Sequence, residues 1–433
     1  MPRSVRSRPY NGPMIRIAES KTASDLSIRA VGLLREAVWL TRRRLFSYST
    51  ILIATSAAII SWTLTGHGIN DPAGRPVGTD FVSFWTVSSA LMHGNERTIY
   101  SPEALAALEQ AVLPRENMDF YAWQYPPIAL LLVYPLAFLP YLWSLASWLA
   151  VGAACYLTVL WRILPQPLTL LAGLAFPAVL LTVGHGQNSL LTTGLFAWGL
   201  LLLERRPIAA GVVIGLLSFK PQLGVLLPVA LLAGGHRRTM VAATLTSLGL
   251  AATTVILFGG EIWSDFLESV QLSRDILDQG LVPYYKMQSV FAAVRLLGGP
   301  SIFGYSLQAL VAVSAAVMVA WVWKRPTDSN TKNAALMIAT PLATPFFLDY
   351  DLMLVAPAIA WLARRGVRRG PLPWEGTALA VLSLVPLVSR TIGAYTHILL
   401  APFAVGAVFA CIIADVRASA HPHDQALRRT ALG

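Results

Sequence analysis

The chain has 433 residues, of which 55% are hydrophobic and only 13% charged, against about 25% charged in a soluble domain. Apolar runs of membrane-spanning length recur along nearly all of it, so the composition argues against a soluble globular enzyme and for an all-α, polytopic membrane protein. The net charge of +11 is no nucleic-acid footprint, because the basic residues cluster between apolar runs, as the positive-inside rule predicts.

In chain order, residues 1–44 read as a basic cytoplasmic tail ending in Arg42-Arg43-Arg44, and 45–66 as the first span. That span lacks the small-residue cleavage pattern of a signal peptide. A long external loop, 67–125, follows. Within it Gly78-Thr79-Asp80-Phe81 leads into Phe84-Trp85. Asp80 is a lone carboxylate among aromatics at the bilayer surface, where burial of charge needs a reason. It is either a general base facing a lipid-linked substrate or the N-cap of the helix that Phe81, Phe84, Trp85 and Ser88 imply. Two short helices, about 81–93 and 102–113, are expected to lie flat on the membrane, the second opened by Ser101-Pro102.

Apolar stretches then recur at about 126–139, 142–161, 168–184, 189–203, 207–219, 222–234, 239–259, 302–323, 333–348, 352–363, 374–390 and 397–415. The stretch 126–139 is short and holds Pro126, Pro127 and Pro135. Arg205-Arg206, Arg237-Arg238, Lys324-Arg325 and Arg364-Arg365 mark the inner side. If 126–139 enters without crossing, 12 spans result (range 11–13), with both chain ends inside. Asp80 and Gly184-His185-Gly186-Gln187 then share the outer side. A second external loop, 261–300, carries an amphipathic helix through Ile262, Trp263, Phe266, Leu267, Val270 and Leu277. Residues 416–433 read as a second cytoplasmic tail, and 45–415 as one transmembrane domain.

Polar groups inside such a chain are expensive and therefore informative. Lys220-Pro221 separates two unusually short apolar segments, which implies a cavity at membrane depth; Lys220 would bind a phosphate there or else snorkel to the surface. His185, Gln187 and Asn188 form a polar turn that is either ordinary or a binding element. Tyr285, Lys286 and Gln288 close the second loop and suit a sugar phosphate or a headgroup anchor. Asp349-Tyr350-Asp351 offers two acids two positions apart, for substrate hydrogen bonding or, if the helix is broken, for a metal. Cys155 and Cys411 lie in apolar runs and imply neither a disulfide nor a metal centre. No phosphate-binding glycine loop, zinc motif or serine elbow is present, so no nucleotide cofactor is expected.

Several of these stretches occur in the order of one family. Gly78-Thr79-Asp80-Phe81, Ile99-Tyr100-Ser101-Pro102, Tyr125-Pro126-Pro127 with Tyr134-Pro135-Leu136, Gly186-Gln187-Asn188, Ala210-Gly211 before Gly215-Leu216, Lys220-Pro221 and Gln288-Ser289 resemble the bacterial polyprenol-phosphate-mannose-dependent α-(1,2)-mannosyltransferases, a family of GT-C glycosyltransferases. The resemblance covers about residues 45–415. It implies an inverting hexosyltransferase of the bacterial plasma membrane, active on the periplasmic side, with no cofactor and no metal. Its partners would be a polyprenyl-phosphate sugar donor, a lipid or glycan acceptor and the membrane, with no nucleic acid. Asp80 would be the base. Lys220, with His185 and Lys286 behind it, would hold the donor phosphate. Gln187, Asn188, Tyr285, Gln288, Tyr350 and Asp351 would bind substrate. Asp349-Tyr350-Asp351 stands where mycobacterial members place a histidine, which leaves the acceptor and the sugar open. A transporter or flippase of a lipid-linked sugar is the alternative; it would show inverted repeats, and none is visible.

Overall fold

The computed structural model describes residues 29–112 and 120–419. Most of the basic N-terminal tail and residues 420–433 of the C-terminal one lie outside the described residues. Those described form helices joined by short turns, with two isolated β-bridges, Asn70 to Pro76 and Met287 to Leu348.

Helix α1 (Arg42–Thr63) buries only Ser49, so its apolar surface faces outward, as a span bordering lipid does. α2 (Phe81–Met92) corrects an expectation. Phe81, Val82, Phe84, Val87, Ala90 and Leu91 are all buried, together with Ser83, Thr86 and Ser88. Such burial on every side means protein surrounds it; it does not lie flat on a membrane. α3 (Pro102–Val112) packs Leu105 and Glu109 inward. α4 (Ile128–Val133) continues as a 3₁₀ turn, Tyr134–Phe138. Ser88 Oγ donates to the Tyr134 carbonyl at 2.8 Å, which ties this segment to α2.

α5 (Tyr141–Ile163) is a full-length apolar helix. α6 (Pro167–Leu174) and α7 (Pro177–His185) form a pair bent by 52°; Pro177 cannot supply the amide that would continue the first helix. α8 (Ser189–Leu202) runs back. Asp80 and Gln187 are in hydrogen-bond contact at 2.8 Å, so they share one end of the molecule. That shared end fits the expectation that 126–139 enters without crossing, provided that α5 and the α6–α7 pair each cross once; the bend of the pair also suits a re-entrant loop.

α9 (Pro207–Leu216) and α10 (Leu227–Ala233) flank two 3₁₀ turns that meet at Lys220. α9 packs closely on α11 (Arg237–Phe258). A Cβ added at Gly211 would come within 2.4 Å of the Thr239 carbonyl, and one at Gly215 within 2.5 Å of Thr246. These two glycines serve backbone approach between helices, the usual role of small residues in membrane interfaces. α12 (Glu261–Gln279) buries Ile262, Ile276 and Leu277, whereas Leu267 and Val270, which the sequence placed on the same apolar face, are exposed. α13 (Val290–Leu296) and α14 (Ser301–Lys324) follow.

α15 (Ser329–Ala343) is buried along nearly its whole length and forms the centre of the core with α16 (Val355–Arg369). α17 (Glu375–Thr396) and α18 (Ala401–Ser419) complete the chain, so helix runs into the expected tail as far as Ser419. Buried Arg365 pairs with Glu375 and, at 3.0 Å, with Asp415, locking α16, α17 and α18 together at one end.

Among the described residues, six helices are long and apolar enough to cross a membrane, seven if the bent pair counts as one. Other apolar segments, 81–92, 128–138, 189–202, 207–219 and 221–233, are 10–17 residues long, short of the roughly 20 a lone span needs. Hydropathy counted the last three of them towards twelve spans. The helices stop instead where prolines, glycines and polar side chains gather, at 175–177, 186–188, 220 and 344–349, and three of those four breaks meet in one place.

Candidate active site

The meeting place lies at the end of the bundle where α2, α7, α8, the Lys220 break, the 3₁₀ turn Asp349–Leu354 and α17 come together. Two glycines allow the closest approach. Gly78 and Gly186 adopt φ of 71° and 64°, a region that only glycine enters without strain. A Cβ on Gly186 would lie 2.6 Å from Phe81 and 3.3 Å from Gly78 Cα. The two loops therefore press together, and the Asp80 amide donates to the His185 carbonyl at 3.0 Å.

Asp80 occupies the N-cap position of α2 but makes no side-chain capping bond. The capping alternative is thereby removed, and the carboxylate turns to the site with 29% of its side chain exposed. Two chains of hydrogen bonds reach it. In the first, Lys220 Nζ donates to Asn188 Oδ1 at 3.2 Å and Asn188 Nδ2 to the Tyr125 hydroxyl at 2.9 Å. The Tyr125 hydroxyl then donates to Gln187 Oε1 at 3.2 Å and Gln187 Nε2 to Asp80 Oδ2 at 2.8 Å. Burial, reinforced by the charges of Asp351 and Asp80, holds the Tyr125 phenol far above its ordinary pKa, so it remains a donor.

The second chain begins at Arg390. Its Nη1 lies 3.4 Å from His185 Nε2. A guanidinium can only donate, so in the neutral imidazole the proton belongs on Nδ1. That nitrogen is 2.8 Å from Thr79 Oγ1, and the Thr79 hydroxyl reaches Asp80 Oδ1 at 3.4 Å. The tautomer is assigned from these partners. His185 Nδ1 is itself 3.7 Å from the carboxylate.

Each cation also has a carboxylate of its own. Lys220 Nζ is 2.6 Å from Asp351 Oδ1, with side chains 4% and 3% exposed. Ser189 Oγ donates to the same oxygen at 2.8 Å. Lys220 is therefore no snorkelling lysine. Arg390 pairs with Asp349 at 3.3 Å and stays 32% exposed. The two acids of Asp349-Tyr350-Asp351 are thus divided between two cations and do not converge on one point. Tyr350 lies between them, its ring 5.4 Å from Lys220 Nζ and 6.0 Å from the His185 ring.

The structure thus brings together Asp80, His185, Gln187, Asn188, Lys220, Tyr350 and Asp351. Gln288 is one layer removed: its Oε1 accepts from Ser389 Oγ at 2.6 Å, next to Arg390. Tyr285 offers its carbonyl to Gln288 Nε2 at 3.2 Å. Lys286 is half-buried in that loop and makes no ion pair among the described residues. Sequence reasoning missed Arg390 as a site residue, and gave Tyr125 and Thr79 no role there. A lone arginine inside an apolar stretch was the available signal.

A model of glycosyltransferase family 87 matches residues 123–345, just over half of the 433-residue chain. It takes in Tyr125, His185, Gln187, Asn188 and Lys220, and Asp80, Asp349, Asp351 and Arg390 lie outside it. No curated protein and no solved structure matches the chain. With the matched segment supplying the break at Lys220 and the Gln187 amide that donates to Asp80, the chain belongs to glycosyltransferase family 87 and is a membrane glycosyltransferase.

Proposed function

We propose that the protein transfers a hexose, with mannose the first candidate, from a polyprenyl-phosphate donor to a lipid or glycan acceptor at the outer face of a bacterial plasma membrane, with inversion. Asp80 Oδ1 or Oδ2 takes the proton of the acceptor hydroxyl. The freed oxygen attacks the anomeric carbon from the face opposite the phosphate. The carbon–oxygen bond to phosphate breaks, and polyprenyl phosphate departs with the electron pair. A phosphate leaves well without a proton, so one carboxylate suffices where a glycosidase needs two.

The observation that carries this reading is the state of Asp80, half-open and released from capping, with each oxygen approached by one neutral donor. A carboxylate oxygen has two lone pairs, so one on each remains for a substrate proton. The departing phosphate gains charge and needs a cation. Arg390 and His185 are the accessible groups beside Asp80. Lys220 reaches a phosphate only by sharing it with Asp351, so we assign it to holding Asp80 through Asn188, Tyr125 and Gln187. Tyr350 and the Tyr285–Gln288 loop line the sugar side, with Lys286 a secondary phosphate contact.

The test is purified protein supplied with polyprenyl-phosphate-[¹⁴C]mannose and a panel of membrane lipid acceptors. Acceptor-dependent release of polyprenyl phosphate, lost in Asp80→Asn, is the expected result. Release with a nucleotide-sugar donor in place of the lipid-linked one would overturn the donor assignment.

A further inference from the structure

α8 starts at the site and ends at the other face of the molecule, about 20 Å away at 1.5 Å per residue. There a cavity of about 700 Å³ opens between the ends of α5, α8 and α16 and the start of α15. Arg162, Arg205, Arg206, Arg364 and Arg368 line it. None of the five makes an ion pair among the described residues. Two carboxylates, Glu204 and Asp328, also line it, and both are engaged. Asp328 caps α15 through the Thr331 amide and hydroxyl and meets Arg369 at 3.4 Å. Glu204 accepts from Ser329.

Basic residues at this end are expected from the positive-inside rule, but that rule requires only that they lie near the membrane. Here three separate segments turn five guanidinium groups into one concavity, where walls of low dielectric focus their field. Ser329, Asn330 and Asn333 add polar groups at the start of α15, and the rest of the wall is apolar. Trp361 is buried against it, and Trp198 has satisfied its indole N–H on the Cys155 carbonyl at 3.3 Å. Leu200, Leu201 and Leu202 continue that surface. Planar guanidinium groups match phosphate oxygens in pairs, and an apolar wall beside them suits an acyl chain or glycerol backbone. Basic pockets between helix ends are known hosts of phosphate headgroups.

We propose that this cavity, separate from the transferase site, binds a phosphate monoester or diester, with an anionic phospholipid of the adjoining leaflet as the favoured source. The full-length protein in a neutral detergent is titrated with dihexanoyl phosphatidylglycerol, dihexanoyl phosphatidylcholine or glycerol phosphate, and bound ligand is read by native mass spectrometry. Phosphatidylglycerol should be retained over phosphatidylcholine. The variant Arg205→Gln/Arg206→Gln/Arg364→Gln should lose at least about tenfold in affinity, the scale of one charge-assisted contact. Arg237→Gln/Arg238→Gln removes charge at the same end outside the cavity and should bind as the unaltered protein does. If the triple variant does not fold, Arg206→Gln and Arg364→Gln separately give the same reading. Equal retention by all variants, or equal loss in the Arg237/Arg238 control, overturns the site. Glycerol phosphate binding as tightly as the lipid supports the phosphate site and overturns the lipid as its source.

Discussion

Asp80 is reached from two sides, and the two sides differ in kind. The arm from Lys220 is buried throughout: the ammonium is 4% exposed, shares 2.6 Å with Asp351, and acts through Asn188, Tyr125 and Gln187. The arm from Arg390 is open: the guanidinium is 32% exposed, and His185 and Thr79 carry its influence to the other oxygen. A buried pair has spent its electrostatics on its own partner and contributes geometry. A half-open cation keeps donors for an incoming anion. On the proposed reading the difference separates holding the base from receiving the leaving group; the sequence had offered Lys220 for the second task alone.

Replacing the base should have the largest effect. Asp80→Asn keeps shape and cannot accept a proton, so kcat should fall by about 10²–10⁴-fold with the melting temperature unchanged. Near-normal turnover would place the base elsewhere and dissolve the convergence of the two arms.

Lys220→Met tests the buried arm. It strands Asp351, a loss of about 3–5 kcal/mol in stability, read as a lower unfolding temperature in detergent. Lys220→Met/Asp351→Asn removes both charges and should recover most of that loss. If the recovered double variant also regains donor KM, Lys220 is a positioning group; a donor KM still raised tenfold or more would return the phosphate to Lys220.

Arg390→Gln tests the open arm. Loss of a charge-assisted contact to phosphate predicts roughly a 10–150-fold fall in kcat/KM for donor. Because Asp349 is left without its cation, Arg390→Gln/Asp349→Asn is the companion variant. Stability should return in it and activity should not. Recovery of both would make Arg390 a structural partner of Asp349 alone.

Thr79→Val should have the smallest effect. One neutral hydrogen bond is worth about 1 kcal/mol net, so kcat should drop roughly fivefold, with donor KM unmoved. A drop as large as that of Asp80→Asn would mean that the hydroxyl carries a proton and does more than orient His185.

The site was legible in proportion to how isolated its charges were. Asp80 and Lys220 stood out because each is a lone charge beside apolar sequence. The neighbours of Lys220, α9 and the 3₁₀ turns around it, ended where Lys220-Pro221 said they would. Arg390 sits in the same kind of apolar run and carried the same signal, yet no short helix or proline break pointed to it. Asp349 and Asp351 were visible, but their two-residue spacing read as well for shared chelation as for two separate ion pairs.

Hydrophobic run length, proline position and charge clustering are local properties, so the sequence alone determined the all-helical membrane class, the long helices α1, α5, α11, α14, α17 and α18, and the break at Lys220. Pro126, Pro127 and Pro135 marked 126–139 as a broken segment, and it folds as a six-residue helix followed by a 3₁₀ turn. Which charge meets which is not local. Lys220 and Asp351 are 131 residues apart, and Arg390 and His185 are 205 apart, so their pairing exists only after α8, α17 and the 349–354 turn have packed. The burial of α2 and the shortness of α8, α9 and α15 were decided in the same way. Hydropathy scores a run by its apolar content, whether the surface faces lipid or other helices, and only packing distinguishes the two.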